Sequence, residues 1–136
     1  MNKILGHPEN DPFAKALTEE LANRPDLLPP WRKYPEIPRY SIGWRMGSGE
    51  FYLMVWDRWA KRLNRKQRTA YFKNYTPIPV EWVDWVASSL GHGVLTEMMA
   101  GKDNFKGIQW LEEQGLASLA EFRIWYQEFW KKSFKE

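Results

Sequence analysis

The sequence predicts an all-α fold: a compact, irregular array of five to seven helices in a single domain spanning residues 1–136. Three observations lead there. No stretch sustains the period-2 alternation of a half-buried strand, and Tyr40 to Trp44, the one candidate, is too short to anchor a sheet. Apolar residues recur instead at i, i+3, i+4 and i+7 in several windows. Glycines, prolines and capping residues bracket those windows at the spacing of short helices.

Taken in order, Asp11-Pro12 starts a helix over residues 12–23, with Asp11 as N-cap and Pro12 at the first position, where its missing N–H costs nothing. Phe13, Ala16, Leu17 and Leu21 form its apolar face, and Pro25 stops it. Five prolines then lie between Pro25 and Pro38. They predict an extended or polyproline-like strap over about 25–38, ordered by its apolar anchors Leu27, Leu28, Trp31, Tyr34 and Ile37. A glycine-rich turn follows at 43–49, where Gly43, Gly47 and Gly49 suit a positive φ or a close backbone approach. Ser48 is the expected N-cap of the next helix, with Glu50 near the positive end of its dipole.

That helix, over 49–63, carries Tyr52, Val55, Trp56, Trp59 and Leu63 on one face. Asn64 breaks it and caps a short helix through Lys73. The turn Thr76-Pro77-Ile78-Pro79 launches a helix over about 79–90, with Trp82, Trp85, Val86 and Leu90 inward and Gly91 just past its end. Residues 93–101 form a further helix, ended by Gly101. Asp103 or Asn104 caps the next, which runs to Gln114 and Gly115. The last helix, about 116–134, is nearly encircled by Leu119, Phe122, Ile124, Trp125, Tyr126, Phe129 and Trp130, so it packs deeply or meets a partner. Lys131, Lys132 and Lys135 complement its dipole.

Composition sets limits on function. The chain is 43% hydrophobic and 16% aromatic, which excludes a disordered chain. Its mean hydropathy is −0.64, and its longest apolar run, Phe51 to Trp56, falls far short of the ~20 residues of a membrane span. The segment MNKILGHPENDP lacks the pattern of a secretory signal. Absence of cysteine excludes disulfides, thiolate catalysis and cysteine-ligated metal, and fits a cytoplasmic address. His7 and His92 are the only histidines and form no ligand cluster, so neither a metal nor another cofactor is expected. The nucleophile-elbow spacing G-x-S-x-G does not occur.

The net charge of +3 is unevenly spread. Arg58, Lys61, Arg62, Arg65, Lys66, Arg68 and Lys73 lie in a segment without one acidic residue, so the rest of the chain sums to −4. With Trp59, Tyr71 and Phe72 interleaved, Arg58, Arg62, Arg65, Lys66 and Arg68 are candidates for nucleic-acid contact through phosphates and stacking.

Two further patterns were weighed. Gly47-Ser48-Gly49 with Arg45 has the ingredients of an anion site, but it lacks the lysine and preceding strand of a P-loop, and Glu50 would repel a phosphate. A capped turn, with Glu50 paired to Arg45 or Arg39, accounts for it better. Glu50 and Asp57, seven residues apart on one helix, are a candidate acid–base pair.

Nine tryptophans in 136 residues is the remaining anomaly. Tryptophan and arginine concentrate at the energetic centres of protein interfaces. Trp31, Trp44 and Trp130 fall in turns or at an element's end and are the expected surface tryptophans; Trp56, Trp59, Trp82, Trp85, Trp110 and Trp125 fall on helical stripes and are expected in the core. Arg32, Arg39 or Arg45 stacked on Trp44 would add about 0.5–2 kcal/mol per pair.

The leading expectation is therefore a helical module that binds a protein partner, as adaptor, regulator or inhibitor, through Trp31, Arg39, Trp44, Arg45 and Glu50. Nucleic-acid binding by segment 58–73 stands second. An enzyme using Glu50 and Asp57 stands third.

Overall fold

In the computed structural model, which describes residues 11–134, the regular structure is helical and no strand occurs among the described residues. The chain divides into two compact units, Met1–Asn64 and Arg65–Glu136.

The first unit opens with α1 (Pro12–Leu21), started as its sequence dictates: the Asp11 carboxylate accepts from the N–H groups of Phe13 at 3.0 Å and Ala14 at 3.2 Å. The proline-rich stretch then departs from an unbroken extended path. Pro30 begins a one-turn helix, α2 (Pro30–Lys33), after an extended Pro29. A proline breaks a helix from the interior, but at the first position its fixed φ starts one. Leu27, Pro29, Pro30 and Trp31 are buried. The Tyr52 hydroxyl donates to the Leu28 carbonyl, and Lys33 reaches Glu20 of α1 at 2.7 Å.

A 3₁₀ turn, Ile42–Trp44, leads into α3 (Gly47–Ala60). Its buried face holds Tyr52, Val55, Trp56 and Trp59, as the periodicity requires, while Leu63 lies beyond the helix end. Ser48 is not the cap. The helix begins two residues earlier than expected, at Gly47, with φ of +79°, and no side chain caps it, so the Ser48 hydroxyl sits inside the first turn.

In the second unit, α4 (Arg65–Lys73) buries Tyr71 and Phe72. The single helix expected over 79–90 is a 3₁₀ turn, Val80–Trp82, continued by α5 (Val83–Ser89). Its end is closed as the Gly91 position suggests: Gly91 N–H donates to Ser88 O at 3.0 Å and His92 N–H to Ala87 O at 2.8 Å. Then come α6 (Leu95–Ala100) and α7 (Lys106–Glu113). Neither Asp103 nor Asn104 caps α7. Phe105 holds that position with a left-handed φ of 49°, its N–H donating to the Glu97 carboxylate at 2.8 Å. Such a backbone costs a bulky residue about 1–2 kcal/mol. Burial of its ring against Phe122 at 5.0 Å and Tyr126 at 5.2 Å offsets that cost.

The C-terminal element starts at α8 (Leu119–Trp125), where Ser118 accepts from Glu121 N–H at 3.2 Å. It passes through a π-helical segment, Tyr126–Trp130, into α9 (Lys131–Phe134). The described residues thus hold more α segments than the five to seven expected. Pro30 starts a helix where none was foreseen, and the π segment divides the longest one.

His7 and Lys135, weighed above as a ligand and a dipole partner, lie outside the described residues. Among those described, no helix is long and apolar enough to cross a membrane, and no group of three His, Asp or Glu is placed to hold a metal ion.

Candidate functional site

The turn before α3 is built around one close approach. A Cβ added at Gly49 would stand 2.0 Å from the Gly43 carbonyl oxygen, so only glycine lets the helix start against the 3₁₀ turn. The space over Gly49 is filled by backbone, which disposes of the phosphate-cradle pattern physically. Beside it, the Trp44 indole turns inward. Its Nε1–H donates to Ile37 O at 3.0 Å, and its ring meets the edge of Tyr34 at 6.0 Å.

Three expected surface tryptophans are therefore corrected. Trp31, Trp44 and Trp130 are all buried. Trp31 is carried in by α2 and Trp44 by the 3₁₀ turn. Trp130 follows from the π segment, whose i→i+5 pattern sets it on the Trp125 side of the helix, stacked on Tyr126 at 5.6 Å. Of the six expected core tryptophans, Trp56, Trp59, Trp82 and Trp125 are buried, and Trp85 and Trp110 are half-buried. The Arg39 guanidinium lies 4.5 Å from the Tyr40 ring centre.

What the turn leaves outside is apolar. Ile42 is 60% exposed, Met46 57% and Met54 48%, with Tyr40 and Phe51 at 37%. Arg45 and Glu50 are exposed among them. Of the five partner-contact candidates, Arg45 and Glu50 are exposed, Arg39 is half-buried, and Trp31 and Trp44 are buried; the exposed apolar side chains were not foreseen. The available signal was Phe51 and Met54, apolar residues that fall off the Tyr52–Val55–Trp56–Trp59 stripe and on the side of Glu50 and Asp57.

Along the outer face of α3 runs an open groove of about 540 Å³. Phe13, Leu53 and Met54 give it apolar walls, and Glu50, Asp57, Arg58 and Lys61 line it with charge. Phe13 stacks on Phe51 at 5.0 Å, and the Arg58 guanidinium lies 5.4 Å from the Phe13 ring centre. Arg58 Nη1 pairs with Asp11 Oδ2 at 2.7 Å. That hydrogen bond, the Ala14 and Phe13 N–H groups and the Arg58 charge together hold the Asp11 carboxyl below its ordinary value, outweighing desolvation.

Glu50 and Asp57 do line the same groove, but both are exposed, and Asp57 is engaged by Lys61 at 3.0 Å. Seven residues of helix separate them by about 10 Å along the axis. Two open, widely spaced carboxylates lack the desolvation that tunes an acid–base pair.

The basic candidates divide by unit. In the first, Arg58 is held by Asp11, and Arg62 is exposed. In the second, Arg68 Nη1 donates to the Ser89 carbonyl, and the Arg65 guanidinium lies so close to Gly91 that a Cβ there would come within 2.9 Å of it. Arg68 thus serves the negative end of α5, and Arg65 and Lys66 are exposed.

The second unit shows exposed apolar residues of its own: Leu95, Met99, Ile124 and Phe129. His92 is half-buried, its imidazole flat on the Trp110 indole at 4.1 Å. In comparisons with known proteins, no family model, no curated protein and no solved structure matches the chain.

Proposed function

We propose that this chain is a protein-binding module, an adaptor, regulator or inhibitor of a protein partner. Its contact surface lies around residues 40–54: Ile42, Met46, Phe51 and Met54 supply the apolar contact, with Arg45 and Glu50 beside them. Trp31 and Trp44 act from behind as rigid supports, and residues 25–38 serve as the ordered strap that holds them inward. The observation that carries this reading is the exposure of apolar side chains on one short stretch, on the turn and on the charged side of α3. Scattered exposed apolar residues are ordinary; grouped ones rimmed by charge mark contact sites.

The other readings have less support. Segment 58–73 has exposed Arg62, Arg65 and Lys66, but Arg58 pairs with Asp11 and Arg68 donates to the Ser89 carbonyl. Glu50 and Asp57 share a groove without the environment an enzyme would give them.

The test compares the full chain with Ile42→Ser/Met46→Ser/Met54→Ser in a pull-down from native lysate, alongside light scattering. The triple variant should lose whatever wild type retains, while each substitution changes folding stability by no more than about 0.5 kcal/mol. Trp44→Ala, by contrast, should cost about 3–4 kcal/mol of stability. A wild type that retains nothing, or a triple variant that retains the same partner, defeats the proposal.

A further inference from the structure

We propose that Met46 and Met54 are sites of reversible oxidation through which a peroxide switches the contact surface off, an inference that rests on the protein-binding reading above. The chain holds five methionines and no cysteine, so the thioether is its one kind of oxidisable sulfur. Of the four methionines among the described residues, Met46, Met54 and Met99 are exposed and Met98 is fully buried. Met46 immediately precedes α3 and Met54 lies on it. Two of the four apolar side chains assigned to the contact surface, Ile42, Met46, Phe51 and Met54, therefore carry sulfur in the open. Met99 belongs to the second unit.

The step is a two-electron oxygen transfer. A sulfur lone pair attacks one peroxide oxygen, an S–O bond forms and the O–O bond breaks. The hydrogen on the transferred oxygen passes to the departing hydroxide, which leaves as water; sulfur is oxidised and the peroxide reduced. A polar sulfoxide then stands where an apolar thioether stood. Its oxygen is a strong acceptor that water satisfies on the free surface and an apolar partner leaves unmet. Each sulfoxide should therefore weaken partner binding about tenfold. Met54 also lines the groove with Phe13 and Leu53, so its oxidation turns one apolar wall polar. The fold is spared, because Met98, whose sulfoxide would put oxygen into the core, is enclosed. A methionine sulfoxide reductase reverses the step: the oxygen leaves as water while a dithiol closes to a disulfide.

Hydrogen peroxide is the probe, applied to the full chain and followed by peptide mass spectrometry. Met46 and Met54 should each gain one oxygen at a rate close to that of Met99, and Met98 about tenfold more slowly or less. Either sulfur oxidising as slowly as Met98 overturns the assignment. On a hydrophobic-interaction column, oxidised wild type should elute earlier than its untreated form, and Met46→Leu/Met54→Leu should shift less; equal shifts defeat the proposal as well. Leucine serves because it is apolar, close in volume to methionine and free of sulfur. In the pull-down, each protein is compared with its own untreated form. Oxidised wild type should lose the partner and regain it after reductase and dithiol, whereas whatever the leucine variant retains before peroxide it should retain after. Untreated wild type that retains nothing defeats the protein-binding reading and the release with it. Oxidised wild type that keeps its partner defeats this inference alone.

Discussion

The start of α3 and the start of α7 solve one packing problem in the same way and finish it differently. At both, a glycine in the first turn lets a helix begin against a backbone carbonyl: Gly43 O, 2.0 Å from a Cβ built at Gly49, and His92 O, 1.9 Å from one built at Gly107. Around Gly107 the surface is closed. His92 lies on Trp110, and Phe105 and Ile108 are fully buried. Around Gly49, Trp44 turns inward but Ile42 and Met46 stay in solvent. The α7 junction proves that such an approach needs no exposed apolar rim. The glycines of the α3 turn therefore report packing, and the exposed apolar side chains beside it are a separate feature.

If both junctions are as tight as this geometry, Gly49→Ala and Gly107→Ala are the severest single changes in their units. The clashing atom is backbone, which cannot swing aside, and each variant should lose about 4 kcal/mol or more. Urea unfolding of the full chain measures it. A loss near 1 kcal/mol at either position would mean that the helix start stands farther from its carbonyl.

Each unit also holds a tyrosine whose hydroxyl donates to a backbone carbonyl. Tyr52 donates to Leu28 O in the first and Tyr126 to Met98 O, at 2.9 Å, in the second. The Tyr126 bond is buried, so Tyr126→Phe should cost about 1.5 kcal/mol, with Met98 O keeping its bond from Gly101 N–H; Tyr52→Phe, whose bond is only partly buried, should cost about 0.5 kcal/mol. Alkali separates them further. Burial first, and the Asp103 charge second, push the Tyr126 phenol above its ordinary value. A raised value means that the protonated form is favoured by folding. The contribution is fully present below the unfolded pKa, about 10, and is lost as pH rises from there through the folded value. Wild type minus Tyr126→Phe should hold steady to about pH 10 and shrink beyond it. Equal costs for the two variants would remove the distinction in burial.

Local features of both units were legible in the chain. Asp11-Pro12 and Gly91 act within five residues of themselves, and the stripe Tyr52, Val55, Trp56, Trp59 follows from period alone. Features set by distant partners were not. No propensity puts phenylalanine in a left-handed cap; Phe105 is held there by Glu97 and by Phe122 and Tyr126, far along the chain. Trp44 looked external because it sits in a turn, and only its bond to Ile37 O and its contact with Tyr34 reveal why it faces inward. The same blindness hid the Arg68 bond to Ser89 O, since that carbonyl lies some twenty residues on. In the stretch 31–50, the exposure of Arg45 and Glu50 was legible and the burial of Trp31 and Trp44 was not.

Acid should act where alkali does not. Asp11 caps α1 through one oxygen and pairs with Arg58 through the other. Asparagine keeps an acceptor for the Phe13 and Ala14 N–H groups but carries no charge, so Asp11→Asn isolates the ion pair from the cap. The folded carboxyl lies below its ordinary value, first through the Arg58 hydrogen bond. Its contribution is therefore complete above the unfolded pKa, about 3.9, and is lost as pH falls from there through the folded value. Wild type should exceed Asp11→Asn by a small, constant margin from about pH 5 to neutrality, and the margin should close below about pH 4. Added salt should narrow it at every pH, because the pair is open to solvent. The urea midpoint followed against pH for both proteins decides the matter. A margin that survives unchanged well below pH 4 would assign the Asp11 effect to the cap alone, and the tie from α1 to α3 would then rest on Phe13 against Phe51.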